Sequence, residues 1–205
     1  MIDIAISLLQ TELQNYLNVM NLSANVTVDN IGMLETSGGD GLANSIVISV
    51  VNVEEESTLK NQPARRQNPP GNTIYQNPPV YLNLYVLFTG NYSGAQYIHG
   101  LQRISYVVQF FQSKNYFSSG TSTSGSLGSQ NITAAGTRPD ILSLWFTMEL
   151  YTMTFEQLNH LWGSLGGRQI PFVMYKLRLV AITERNIVRT APVIQEIDLD
   201  TSPGL

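Results

Sequence analysis

From Asn77 to Gly90 apolar and polar positions alternate. After the paired prolines Pro78 and Pro79, Val80, Leu82, Leu84, Val86 and Phe88 fall on one side of an extended backbone. Tyr81, Asn83, Tyr85 and Leu87 fall on the other. A period of two is that of a strand, here with one dry face and one amphipathic face. Proline donates no backbone hydrogen bond and holds the residue before it extended, so the pair punctuates the strand. Gly90 closes the pattern, and this segment reads as the central strand of the fold.

Spacings of three and four predict a helix over 3–20, through Ile4, Leu8, Leu9, Leu13, Tyr16, Leu17 and Met20, with Asp3 as N-cap. Residues 25–32 alternate briefly and predict a short strand. The β-branched run Ile46–Val53 predicts another. Between them, Ser37-Gly-Gly-Asp-Gly41 fits neither GxGxxG nor the P-loop and reads as a hairpin loop. Residues 57–79, rich in Asn, Gln and Pro, read as a long connection without periodic structure. A second helix is expected over 96–113, with Ile98, Leu101, Ile104, Val108 and Phe111 on its packing face.

Ser, Gly and Thr dominate 118–136, so that loop is expected to be flexible. Residues 141–151 predict a strand with Leu142, Leu144, Phe146, Met148 and Leu150 toward the core. Thr154-Phe-Glu-Gln157 has capping-box spacing, and the helix it opens should stop at Gly166-Gly167. Pro171 then introduces a strand over 172–182. The order of elements gives an α+β fold, with a mixed or largely antiparallel sheet and about three packing helices. Residues 1–183 are expected to form one domain, and 184–205 an extended C-terminal tail.

Composition adjusts this picture in two ways. Charged residues make up only 13% of the 205, and amides and hydroxyls take their place. Amides are less costly to desolvate than charges, so such a surface suits burial against other subunits. The net charge of −4, with only Arg65 and Arg66 adjacent, argues against a nucleic-acid partner. The chain has no cysteine, its N-terminal stretch lacks the early basic residues of a signal peptide, and no apolar run approaches membrane-span length. Assembly in the cytoplasm is expected, without direct membrane insertion.

Reactive groups are sparse. His99 and His160 lie in separate helices with no second histidine at ligand spacing, and HExxH and GxSxG are absent. Asp198 and Asp200 lie in the tail. Trp145 and Trp162 each sit in an apolar pattern. No catalytic, cofactor or metal residues are expected, and the chain reads as a structural or binding protein. The charged candidates for binding are Arg65 and Arg66 in the long connection and the run Glu54, Glu55 and Glu56 that closes a strand.

Five motifs occur in order: Asn52–Asn61, Pro78–Phe88, Leu101–Gln112, Phe155–Gly163 and Pro171–Arg178. Together they resemble the N-terminal domain of the cap, or tail-terminator, protein of phage-tail-like contractile injection systems, of the antifeeding-prophage type. The resemblance spans about residues 2–183. The Ser118–Gly136 tract is longer and more polar than the family's connection, and Gly166–Ile170 departs from its tyrosine-containing form.

The resemblance implies a homohexameric ring that ends polymerisation, with the inner tube protein and the sheath protein as partners and no cofactor. It also implies incorporation into a particle that is either released or membrane-anchored. Contacts would fall on the loop around Arg65 and Arg66, on Glu54–Glu56, and on the tail through Ile187, Val193, Ile197 and Leu199. One alternative is a tube–baseplate adaptor ring of the same machine. Another is a small-ligand module or enzyme using the Gly38–Gly41 loop or the tryptophans.

Overall fold

The computed structural model describes residues 1–33, 40–59, 65–67, 73–118, 144–182 and 187–191, with the single positions 63 and 122. In chain order the elements are α1 (Ile2–Val19), β1 (Asn25–Val28), β2 (Ser45–Glu55), β3 (Arg65–Gln67), β4 (Thr73–Gln76) and β5 (Val80–Asn91). There follow α2 (Tyr97–Ser113), β6 (Tyr116–Ser118), β7 (Trp145–Tyr151), α3 (Phe155–Ser164), β8 (Phe172–Ile182) and β9 (Ile187–Ala191). Six strands form the main sheet in the order β1-β2-β5-β8-β7-β6, and β3-β4-β9 form a second, smaller sheet. Among the described strands of the main sheet only β1–β2 is parallel, so the expected α+β fold with a mixed sheet and three helices is observed.

β5 occupies the middle of the main sheet, as its alternation requires. Leu84, Val86 and Phe88 point into a core closed by Leu8, Leu9, Leu13 and Leu17 of α1 and Val107, Phe110 and Phe111 of α2. Phe117, Phe146 and Leu177 complete it. Leu87 points the other way, into a smaller core with Ile31, Leu42, Val47 and Met174, which Leu161 and Leu165 of α3 border. One bulge in β2 (between Val50 and Asn52) and one in β8 (opposite Leu82 and Leu84) interrupt the ladders. The second keeps both Leu177 and Val180 on the helix-covered face although three positions separate them.

Five expectations are corrected. β1 and β2 run parallel, Asn25 opposite Ser45 and Val28 opposite Ile48, so these two strands do not form the hairpin expected across Gly38–Gly41. α1 begins at Ile2 with Met1 as N-cap, and Asp3 lies in the first turn. Residues 57–79 are not structureless: Ser57–Leu59 form a 3₁₀ turn and β3 and β4 an antiparallel pair. In β7, Phe146 and Met148 are buried but Leu150 is 58% exposed, beyond the cover of α1 and α2.

The fifth correction concerns the packing face of α2. The helix buries Gly100, Arg103, Val107, Phe110 and Phe111. Ile98, Leu101 and Val108 face outward. The cause is a glycine-to-glycine approach. A Cβ placed on Gly90 would lie 3.0 Å from the Gly100 carbonyl oxygen, and one on Gly100 would lie 3.2 Å from the Tyr92 Cβ. Only glycines permit this distance between β5 and α2, and it fixes which side of the helix turns inward. The flexible loop expected over 118–136 lies outside the described residues apart from Ser118 and Ser122, as do the tail positions Val193, Ile197 and Leu199.

Candidate functional site: a charged sheet face and a basic second sheet

The face of the main sheet opposite α1 and α2 changes character along its length. The row Tyr151–Met174–Leu87–Ser49 lies in the smaller core. The neighbouring row is Glu149–Lys176–Tyr85–Asn52. Beyond it come Arg178, opposite Thr147, and the pair Asn83–Glu54. Alternation along each strand puts these side chains on one face.

Their contacts form one network. Arg178 donates from Nη1 to Glu149 Oε1 at 3.3 Å and from Nη2 to Glu56 Oε2 at 3.4 Å. Asn83 Nδ2 donates to the same Glu56 oxygen at 2.9 Å, and Thr58 Oγ1 to the other oxygen at 2.5 Å. These donors stabilise the ionised form, Asn83 most and Thr58 next, and hold the Glu56 carboxyl at about 2. The Tyr85 hydroxyl donates to Glu54 Oε2 at 2.9 Å. Burial, then the hydrogen bond to Glu54 and after it the charge on Glu54, pushes that phenol up to about 12. The Lys176 ammonium lies 5.4 Å from the centre of the Tyr85 ring. Glu149, and then Glu56, raise the guanidinium pKa of Arg178. Of the carboxylate run, Glu54 and Glu56 thus belong to this network, and Glu55 is exposed at the strand end.

The second sheet brings together two segments separated by some 120 residues of sequence. β3 contains Arg65 and Arg66, and β9 begins at Ile187; β4 pairs with both. The register places Arg65 opposite Tyr75 and Tyr75 opposite Arg189, one cross-strand row. Tyr75 is 39% exposed and Arg189 is exposed. No acidic residue occurs in these three strands. The sequence expectation names Arg65, Arg66 and Ile187 but neither Tyr75 nor Arg189, which the register sets beside them. The alternation in Thr73–Gln76 is too short to read, and in Ile187–Ala191 the only signal is a β-branched flank around an arginine.

The outward stripe of α2 adds an apolar element. Ile98 is 65% exposed, Leu101 41% and Val108 36%, at spacings of three and seven along one side of the helix. A groove of about 600 Å³ runs beside the start of α2, lined by Tyr92, Tyr97, Arg168 and Pro171 among others. His99 and His160 are both exposed. Trp162 is buried edge-on against Phe172, and Trp145 is 42% exposed. Among the described residues no three His, Asp or Glu side chains stand close enough to hold a metal ion. None of the described helices is long and apolar enough to cross a membrane.

Comparison with known proteins gives the following. The family model described as the Pvc16 N-terminal domain matches residues 5–196. No curated protein matches the chain. The fold is similar to the cryo-EM structure of the PVC sheath/tube terminator, in the extended state, of an extracellular contractile injection system: TM-score 0.64, 14% identity, 100% of this chain and 64% of the other. It is also similar to the tube-terminating cap of the anti-feeding prophage: TM-score 0.60, 15% identity, 97% of this chain and 61% of the other. The chain therefore spans less than two thirds of the length of each of these structural relatives.

Proposed function

The chain belongs to the Pvc16 N-terminal domain family, and from that premise we propose that it forms a ring that terminates the inner tube and sheath of a contractile injection particle. The observation that carries this reading is the fold: essentially the whole chain superimposes on parts of two terminators, one of sheath and tube and one of tube. A growing tube or sheath offers the same unsatisfied surface on each new ring. A terminator has to satisfy that surface and present no copy of it on its far side. Identical subunits joined by heterologous contacts do so when the rotation closes. Six copies, the tube protein and the sheath protein are the partners in this reading.

The surface is suited to that work. Charge is sparse, an ion network lies on one face of the main sheet, and α2 leaves an apolar stripe outward. The function is structural, with no bond made or broken. Whatever the remaining third of the longer relatives does is not assigned to this chain. Arg65, Arg66, Glu54, Glu55, Glu56 and Ile187 are the proposed contact residues, with Val193, Ile197 and Leu199 beyond the described strands.

The experiment is electron microscopy of the intact particle with this subunit labelled. Label confined to the end of the tube and sheath remote from the baseplate is expected. Label at the baseplate would convert the reading to an adaptor ring. A solitary chain that saturably binds a small ligand, and never reaches a filament end, would overturn it in favour of a ligand-binding module. Removing residues 192–205 while keeping β9 tests the tail separately. Particles of normal length with an intact cap would dismiss Val193, Ile197 and Leu199.

A further inference from the structure

The two sheets share a left-to-right order. β2 leads into β3, β4 leads into β5, and β8 leads into β9; the main sheet runs β2-β5-β8 where the small one runs β3-β4-β9. The small sheet therefore continues the central three strands beyond one end of the main sheet. β9 lies on the β8 side of this extension, and its outer edge has no strand partner among the described residues. On the opposite flank, β1 pairs only with Ser45–Ile48. The rest of β2, from Val50 to Glu55, has no strand on its outer edge among the described residues. These two open edges are of similar length and opposite charge. Val50, Val53, Glu54 and Glu55 are exposed on one, and Arg189 on the other. Arg189 makes no ion pair among the described residues.

We propose that these edges are the two halves of one contact between identical copies: β9 of one subunit lies along the outer edge of β2 of the next, with Arg189 against Glu54 and Glu55. This rests on the ring reading above and names its subunit contact. Two observations favour a second copy as the occupant. Both complementary surfaces occur on this chain, so no other protein is needed to supply either. They lie on opposite flanks, so the contact is heterologous and propagates around a ring instead of closing as a pair. Open edges invite strand addition. The Asn52 side chain accepts from the Val53 backbone N–H at 2.9 Å, a contact that the incoming strand would displace.

The test uses the full chain in sedimentation velocity over a concentration series at low and high salt. Arg189→Glu makes both edges acidic, and Glu54→Arg with Glu55→Arg makes both basic. Each variant alone should associate at least about tenfold more weakly than the wild type while keeping the wild-type circular dichroism spectrum and a cooperative melt. An equimolar mixture should recover assembly, since acidic and basic subunits then alternate. If the wild type forms rings and both variants do too, or if the mixture of folded variants fails to recover, this contact is wrong and the ring stands on others. If the edge charges serve to prevent association, the variants will associate more strongly than the wild type, which also overturns the proposal. A wild-type chain that stays solitary at every concentration removes the ring reading as well.

Discussion

Replacing Gly90 by alanine tests whether the close approach of β5 and α2 sets the orientation of that helix. The new Cβ would stand 3.0 Å from the Gly100 carbonyl oxygen, 3.3 Å from the Gly100 Cα and 3.3 Å from Ile104 Cγ1. Two of these neighbours are helix backbone and cannot rotate aside. α2 would have to lift by a few tenths of an ångström and carry Val107, Phe110 and Phe111 with it. Overpacking of this kind costs about 1–3 kcal/mol. Alanine recovers roughly 0.5–1 kcal/mol through reduced freedom of the unfolded strand. At the middle of both ranges the net loss is about 1.3 kcal/mol, and at about 2–4 °C per kcal/mol for a chain of this size the melting temperature should drop by roughly 3–5 °C. Gly100→Ala is the control. Its Cβ would meet Tyr92 Cβ at 3.2 Å and the Gly90 oxygen at 3.4 Å, milder contacts offset by about 1 kcal/mol of helix propensity. It should melt close to the wild type. Calorimetric melts of the three proteins decide the matter. A Gly90→Ala protein as stable as the wild type, or a Gly100→Ala protein that suffers more, would refute the account of why Ile98, Leu101 and Val108 face outward.

Three further outcomes follow from single contacts. Glu56 is held at about 2 against an ordinary value of 4.5, so its ionised form stabilises the fold fully above that value and the contribution is lost as pH falls toward 2. Glu56→Gln should flatten the fall in melting temperature across that window; parallel curves would show that the Asn83 and Thr58 contacts carry no weight. Thr154 Oγ1 accepts from the Gln157 N–H at 3.3 Å while the Thr154 N–H donates to Gln157 Oε1 at 3.0 Å. Thr154→Ala should destabilise by about 1 kcal/mol, with faster amide exchange in the first turn of α3. Ultraviolet titration should show Tyr85 ionising near 12, with Tyr175 also raised by burial. Glu54→Gln should lower that value, and no change would mean that burial alone sets it.

The sequence displayed most clearly those elements whose faces differ most. β5 alternates over a full strand and has proline before it and glycine near its end, so its centrality was legible. The capping box was legible because Thr154 and Gln157 meet through local spacing alone. α2 was misread because it has two apolar stripes, and the deciding contact, Gly90 on Gly100, joins residues with no side chain to display a pattern. The parallel pairing of β1 was hidden because direction depends on how residues 29–44 travel, which periodicity does not encode. The small sheet was invisible as a sheet: each of its strands has three to five residues, and the ladder between β4 and β9 joins segments far apart in sequence. Arg65 and Ile187 were chosen for separate reasons, and only the register through Tyr75 and the rest of β4 makes them parts of one surface.

The change of polarity along the second face of the main sheet also explains why cover stops where it does. α3 and the turn around Ile31 pack over Leu87, Val47 and Met174, where apolar side chains repay dehydration. One row further, the same strands present Glu149, Lys176 and Tyr85, and then Arg178 and Asn83. A longer α3 with an apolar face would have to bury these charges, at a cost that their mutual pairing offsets only when every group finds a partner. Two buried polar atoms here have none among the described residues: Asn83 Oδ1 and Arg178 Nε. A network with one acceptor and one donor still unmatched is better suited to a polar neighbour, or to water, than to an apolar lid. The apolar rows thus hold the fold together, and the charged rows remain available to whatever protein surface comes to lie on them. A partner there must bring complementary hydrogen-bonding groups, so its docking should weaken with salt, whereas contacts on the α2 stripe should not.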